Sequence, residues 1–268
     1  MNREQYLRVN ASAPWCLHGD HFAMMIESMA AGEPVGGKMD GEYVHPQIET
    51  FGDIAYVPVR GMLLKGVSML DAYFYGDYDV DLLGKQLRNI ANDTNVKKVV
   101  IDIDSPGGVA MGIESVAQQI ADLRKSGKKV YAYSGGMCCS AAYFLVAGAD
   151  MLLGSVDSIW GSISTYSAGV DSSKAWEKEG RELVLYRTGE LKAVGLPGKA
   201  WTDEEKAAIK ERVDAIDGDY KGFVKAHRPQ VDAAMMNGNH WYARHSPPGL
   251  IDGIVGSVNE LIEYLLTV

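Results

Sequence analysis

Lys98-Val99-Val100-Ile101-Asp102-Ile103-Asp104 runs straight into Ser105-Pro106-Gly107-Gly108. The first seven residues are mostly β-branched and apolar. The next four break any regular element. A strand buried on both faces and delivered into a tight turn is the natural reading, because parallel strands covered on both sides lose the polar alternation of half-exposed ones. Helical spacing brackets the strand. Val80, Leu83, Leu87 and Ile90 recur at helical intervals within Asp79 to Asn92, and a second helix is expected from about Val109 to Ser126. Strand–turn–helix units of this kind point to an α/β fold with a largely parallel core sheet.

Working outward, Val130 to Tyr133 reads as the next strand and Ser140 to Ala149 as the next helix. Met151 to Leu153 and Glu182 to Tyr186 read as further short strands. The stretch from Val130 to Ala149 carries no charge and is long enough to cross a bilayer. Ser134-Gly135-Gly136 divides it, so strand, loop and buried helix is the better description. Thr202-Asp203-Glu204-Glu205 is a capping box opening a long helix to about Lys225, with Ile209, Val213, Ile216 and Tyr220 along one face. Asn259 to Leu266 closes the chain as a helix. Residues 1–52, with glycines crowded at 32–41, read as an N-terminal extension, and 53–268 as one domain. Ile54 to Val59 is its first strand.

Composition narrows the class. Of 268 residues, 47% are hydrophobic, enough for a substantial core. Thirty-five acidic against 26 basic residues leave a net charge of −9, which favours neither nucleic acid nor an anionic membrane. Three cysteines, two of them adjacent, do not make a disulfide framework and fit a reducing compartment. No apolar segment follows Met1 as a secretion signal would require.

Two loops follow strands at the sheet end where α/β proteins hold ligands: Ser105 to Gly108, and Ser134 to Ser140. Gly107 and Gly108 allow close approach of the backbone, whose N–H groups can face a developing oxyanion. The same four residues also serve as a plain strand-to-helix turn. Ser140 opens a helix, where a hydroxyl either caps the first turn or acts as a nucleophile favoured by the helix dipole. Cys138 and Cys139 have only small and apolar neighbours in sequence, so they read as packing. Of the histidines at 18, 21, 45, 227, 240 and 245, none follows Ser140 closely. Lys192, in the loop Tyr186 to Ala193, is either a solvated surface residue or a base.

Five segments in order resemble the S49 peptidase family, which includes signal-peptide-peptidase A and phage head-maturation proteases on the ClpP/crotonase fold. They are Asp104-Ser105-Pro106-Gly107-Gly108, Met137 to Tyr143, Gly161-Ser162-Ile163, Thr188 to Lys192 followed by Thr202 to Glu205, and Gly249-Leu250-Ile251-Asp252. The resemblance implies a ClpP/crotonase-like α/β fold of repeated ββα units. It implies a Ser-Lys dyad with Ser140 as nucleophile and Lys192 as general base, without cofactor or metal. The N–H groups of Gly108 and Ala141 would form the oxyanion hole, supported by Gly107, and Ser162 would orient the lysine. It further implies a peptide or protein substrate, no membrane span, no nucleic-acid partner, and a homo-oligomer sharing sites between subunits. A phage or prophage capsid-maturation protease, acting in host cytoplasm or procapsid, is the leading expectation. A soluble bacterial peptidase and a catalytically idle assembly module are the alternatives. A neutral lysine at pH 7 also requires an apolar, closed surrounding for Lys192.

Overall fold

The computed structural model describes residues 15–17, 47–67 and 76–268. In chain order its strands and longer helices are β1 (Trp15–Leu17), β2 (Glu49–Phe51), β3 (Ile54–Arg60), β4 (Leu63–Leu64), β5 (Tyr78–Asp79), α1 (Val80–Asn92), β6 (Lys98–Asp104), β7 (Gly107–Val109), α2 (Ile113–Lys125), β8 (Lys129–Ser134), β9 (Met137–Cys139), α3 (Ala141–Val146), β10 (Met151–Gly154), β11 (Ile159–Gly161), α4 (Ser173–Lys178), α5 (Asp203–His227), β12 (His240–Tyr242), β13 (Gly253–Ile254) and α6 (Val258–Thr267). The main sheet has the order β13-β10-β8-β6-β3-β2. Every pairing in it is parallel except that of β2 with β3. The expected α/β class with a largely parallel core sheet is therefore present, and so is the ββα repeat. β6-β7-α2 and β8-β9-α3 each comprise a main-sheet strand, a short strand in a second sheet, and a helix.

β6 shows why the opening stretch is so apolar. Val99, Ile101 and Ile103 face one core shared with Val80, Leu83, Leu87 and Ile90 of α1 and with Val116, Ile120 and Leu123 of α2. Val100 faces a second core on the opposite side of the sheet, built with Ile54, Tyr133, Leu153 and Leu261, Ile262 and Leu265 of α6. Both faces of the strand are covered, as its composition requires. Polar Asp102 is tolerated because its carboxylate binds the Arg60 guanidinium and accepts the Tyr56 hydroxyl at 2.7 Å.

Two secondary-structure expectations need correction. The helix expected from Val109 begins at Ile113. Residues 107–109 are instead drawn into β7, which pairs with β1 and with Leu63 of β4, and Gly112 sits at φ 87°, outside helical space. Residues Glu182 to Tyr186 form no strand. Val184 is 66% and Tyr186 92% exposed, so the alternation that suggested a strand has neither a sheet nor a core to join. The uncharged run 130–149 folds as β8, β9 and α3, and no helix among the described residues is long and apolar enough to cross a membrane. Strands β1 and β2 come from the segment read as an extension, and β2 adds an antiparallel edge to the main sheet.

Candidate active site

The turn after β6 and the turn after β8 lie side by side. The amide of Ser105 donates to the Met137 carbonyl at 2.7 Å, and the amide of Cys139 donates to the Ser105 carbonyl at 3.2 Å. Asp104 adds a third tie, accepting the Met137 N–H at 2.8 Å. β9 thus runs along the Ser-Pro-Gly-Gly turn, and β7 packs against α3. Gly107 has φ 105°, a conformation that side chains resist. Gly108 is constrained by space: a Cβ there would lie 1.8 Å from the Leu63 carbonyl oxygen. Gly108→Ala is accordingly expected to push β7 off β4 and cost about 1–3 kcal/mol, the range for overpacking a tight contact. Urea denaturation measures this, and an unchanged midpoint would show that the close approach has slack.

Ser140 stands between β9 and α3 with φ 55° and ψ −120°. Positive φ in a residue other than glycine costs on the order of 1–3 kcal/mol and persists only where the surroundings impose it. They do so here. The Ser140 amide donates to the Gly161 carbonyl at 2.8 Å. Its own carbonyl accepts from the Tyr220 hydroxyl at 2.6 Å and from the Phe144 amide at 3.0 Å. Tyr220 reaches it from α5, its ring stacked on Phe144 at 4.5 Å. The hydroxyl of Ser140 is buried and has no hydrogen-bond partner among the described residues. It does not cap α3, which removes the bland explanation for a serine at that position. A buried hydroxyl left unsatisfied on a strained backbone is unusual in a native protein and common at reactive sites.

Around that hydroxyl, the amide of Ala141 opens α3, where the first N–H groups have no intrahelical acceptor. Ser162 follows Gly161 directly, has φ 53°, and is held by its amide donating to the Asn239 carbonyl at 2.6 Å. Cys138 and Cys139 are fully buried, and burial pushes the Cys139 thiol up to about 12 and Cys138 well above its ordinary value. Neither is poised to form a thiolate. His227 hydrogen-bonds the Phe223 carbonyl at 2.9 Å, and His240 and His245 are exposed. His18, His21 and His45 lie outside the described residues.

Lys192 is placed differently. It is exposed, in a succession of turns between Arg187 and Lys199, and no hydrogen bond joins it to Ser140 or Ser162. The closed apolar surrounding expected for it is not formed by the described residues. Its loop is anchored to the start of α5, where the capping box is complete: Thr202 Oγ1 accepts the Glu205 amide at 3.2 Å and Glu205 Oε2 accepts the Thr202 amide at 3.1 Å. Lys199 first, then the Thr202 amide and Arg187, hold the Glu205 carboxyl down at about 2 against the opposing effect of desolvation. Because its folded value is depressed, this contribution to stability is complete above the ordinary carboxylate range and is lost as the pH falls towards about 2. The Trp201 indole covers Gly169, where a Cβ would lie 2.3 Å away, and Trp241 packs on the main core.

Sequence reading missed two contributors. Tyr220 was placed on the apolar face of its helix, and nothing in that pattern distinguishes a core tyrosine from one whose hydroxyl anchors Ser140. Asp252 in the closing motif is structural: its carboxylate accepts the Leu152 amide at 2.7 Å and pairs with buried Arg228 at 2.6 Å. Beside it, the Tyr143 hydroxyl donates to the Leu250 carbonyl at 2.8 Å.

Comparison with known proteins gives the family to which a chain with this strained serine and glycine turn belongs. Residues 122–264 match the model of peptidase family S49, and the chain belongs to that family. Among individual relatives, Capsid assembly protease C of Escherichia phage lambda is 30% identical over 68% of this chain and 41% of its own length. A putative signal peptide peptidase SppA of Enterococcus faecium is 30% identical over 48% of this chain and 37% of its own. The chain thus spans about two fifths of each of these relatives. Among solved structures, a ClpP1 chain from Listeria monocytogenes aligns with TM-score 0.46 and 12% identity, over 77% of this chain and 94% of that one.

Proposed function

We propose that this chain is a serine endopeptidase in which Ser140 attacks the peptide carbonyl and Lys192 is the general base. The observation that carries the reading is the buried, unpartnered Ser140 hydroxyl on a strained backbone. In this scheme neutral Lys192 takes the hydroxyl proton as Oγ bonds to the carbonyl carbon. The carbonyl oxygen becomes an oxyanion facing the N–H groups of Gly108 and Ala141. Collapse expels the amine with a proton returned from Lys192, and water repeats the sequence to free the acyl group. Gly107 supports the hole by turning the chain, and Ser162 orients the base.

The base must come to the nucleophile. α5 carries the Lys192 loop at its start and Tyr220, bonded to Ser140, further along; Glu205 and Tyr220 are about 22 Å apart along the axis at 1.5 Å per residue. That separation and the exposure of Lys192 support a homo-oligomer in which one subunit's lysine completes another's site. Mixing two inactive proteins, Ser140→Ala and Lys192→Met, is expected to restore activity, since some mixed sites then hold both native residues. A mixture that stays inactive after subunit exchange has been demonstrated would place both groups in one chain.

The proposed substrate is a capsid or scaffold protein of an assembling phage head, processed in the host cytoplasm or procapsid. Support comes from the phage lambda relative, 30% identical over 68% of this chain. Incubation with the capsid and scaffold proteins encoded beside its gene tests this. Cleavage at defined sites is expected; degradation of unrelated peptides only would favour a bacterial housekeeping peptidase.

A further inference from the structure

Glu205 is among the few buried charged side chains, 2% exposed, and it lies far along the fold from Ser140. Its two oxygens are divided between the two ends of one loop. Oε1 accepts Arg187 Nη1 at 3.1 Å, where the loop begins. Oε2 pairs with the Lys199 ammonium, where the loop ends. Lys192 lies between them. Arg187 also reaches into the loop: Nη1 donates to the Lys192 carbonyl at 3.3 Å and Nη2 pairs with Glu190. Further ties fix the remaining turns. The Lys192 amide donates to the Gly189 carbonyl at 3.0 Å, and the Gly198 amide donates to Ser172 Oγ at 2.8 Å.

A capping box needs only a neutral acceptor at this position, and glutamine supplies one. Burying a full carboxylate against two cations is costly unless both partners are held in good geometry. The charge is therefore surplus to the helix cap, while it joins both ends of the loop that presents Lys192. We propose that Glu205 is a positioning residue for catalysis, acting through Arg187 and Lys199 to hold the Lys192 loop in the shape in which it is delivered to a serine.

The proposal rests on Lys192 being the base, so the experiment includes that residue separately. Glu205→Gln, Arg187→Met, Arg187→Lys and Lys192→Met are compared in the full chain, with fold and assembly followed by circular dichroism and sizing. Glu205→Gln is expected to keep fold and assembly, lower kcat about 10- to 100-fold, and leave KM within about twofold, since positioning errors act on the chemical step. Its pH–rate profile is expected to move to higher pH as the loosened lysine regains water. Arg187→Lys should recover part of what Arg187→Met loses. Wild-type kcat and an unmoved profile in folded Glu205→Gln would overturn the proposal and confine Glu205 to the helix cap. If Glu205→Gln fails to fold, the Arg187 pair decides: equal activity of the two variants overturns the role. An active Lys192→Met protein would instead refute the base assignment, and this proposal with it.

Discussion

Ser140→Ala is expected to lower peptide hydrolysis at least 10³-fold while leaving the fold and its stability essentially unchanged. Both parts follow from the same observation. The hydroxyl has no partner, so its removal breaks no hydrogen bond and relieves a buried polar group of its desolvation cost. The backbone at φ 55° is held by bonds to Gly161, Phe144 and Tyr220, none of which involves the hydroxyl, so alanine inherits the same conformation. Loss of a nucleophile leaves only what binding and the oxyanion hole supply, typically several orders of magnitude below the intact enzyme. Turnover of a casein-derived peptide, labelling by a fluorophosphonate, and thermal unfolding read out the three effects. A variant that retains near wild-type turnover would move the nucleophile elsewhere. Cys139 would be the next residue to test, although its buried thiol, pushed up to about 12, argues against it.

How much of this is legible in the sequence depends on whether a feature is local. β6 and α1 are, because each carries its own periodic pattern with enough residues to define it: Val99, Ile101 and Ile103 for the strand, Val80, Leu83, Leu87 and Ile90 for the helix. The strands β7, β9 and β11 are not. Each has only three residues, too few to show a period, and exists because a neighbour pairs with it. Residues 182–186 fail in the opposite sense: Leu183-Val184-Leu185-Tyr186 has strand composition but no strand beside it. Composition measures willingness to pair, and pairing needs a partner.

The site divides along the same line. Ser105 to Gly108 and Met137 to Ala141 are short motifs whose neighbours are fixed by adjacent main-sheet strands, so placing the strands places the turns. That Ser140 is strained and unpartnered has no sequence signature, since it arises from carbonyls and amides contributed by Gly161 and Phe144 and from a hydroxyl on a distant helix. Lys192 is the hardest case. The motif marks it as notable, yet its exposure follows from the course of the loop 187–199, whose two ends bond to the buried Glu205 at the head of α5.

Lys192→Met is expected to be as inactive as Ser140→Ala, whereas replacing any one histidine by glutamine should change activity less than about tenfold. A free lysine titrates at about 10.4, so at pH 7 roughly one in 2,500 is neutral and able to accept a proton. Among the described residues nothing encloses Lys192, which is exposed. Covering it with apolar surface disfavours the ammonium and lowers its pKa. Activity should therefore rise with pH through a value depressed below about 10.4, the neutral fraction growing as the proton leaves. Dilution to separated subunits should reduce the rate at pH 7. The measurements are kcat/KM against pH at high and low protein concentration, for the native chain and for the six single histidine-to-glutamine variants at 18, 21, 45, 227, 240 and 245. An active Lys192→Met protein, together with a limb near 6.5 that vanishes in one histidine variant, would replace the dyad by a histidine base. Two features of the structure speak for the lysine: His227 is turned to the Phe223 carbonyl, and His240 and His245 face solvent with no bond to the Ser140 hydroxyl.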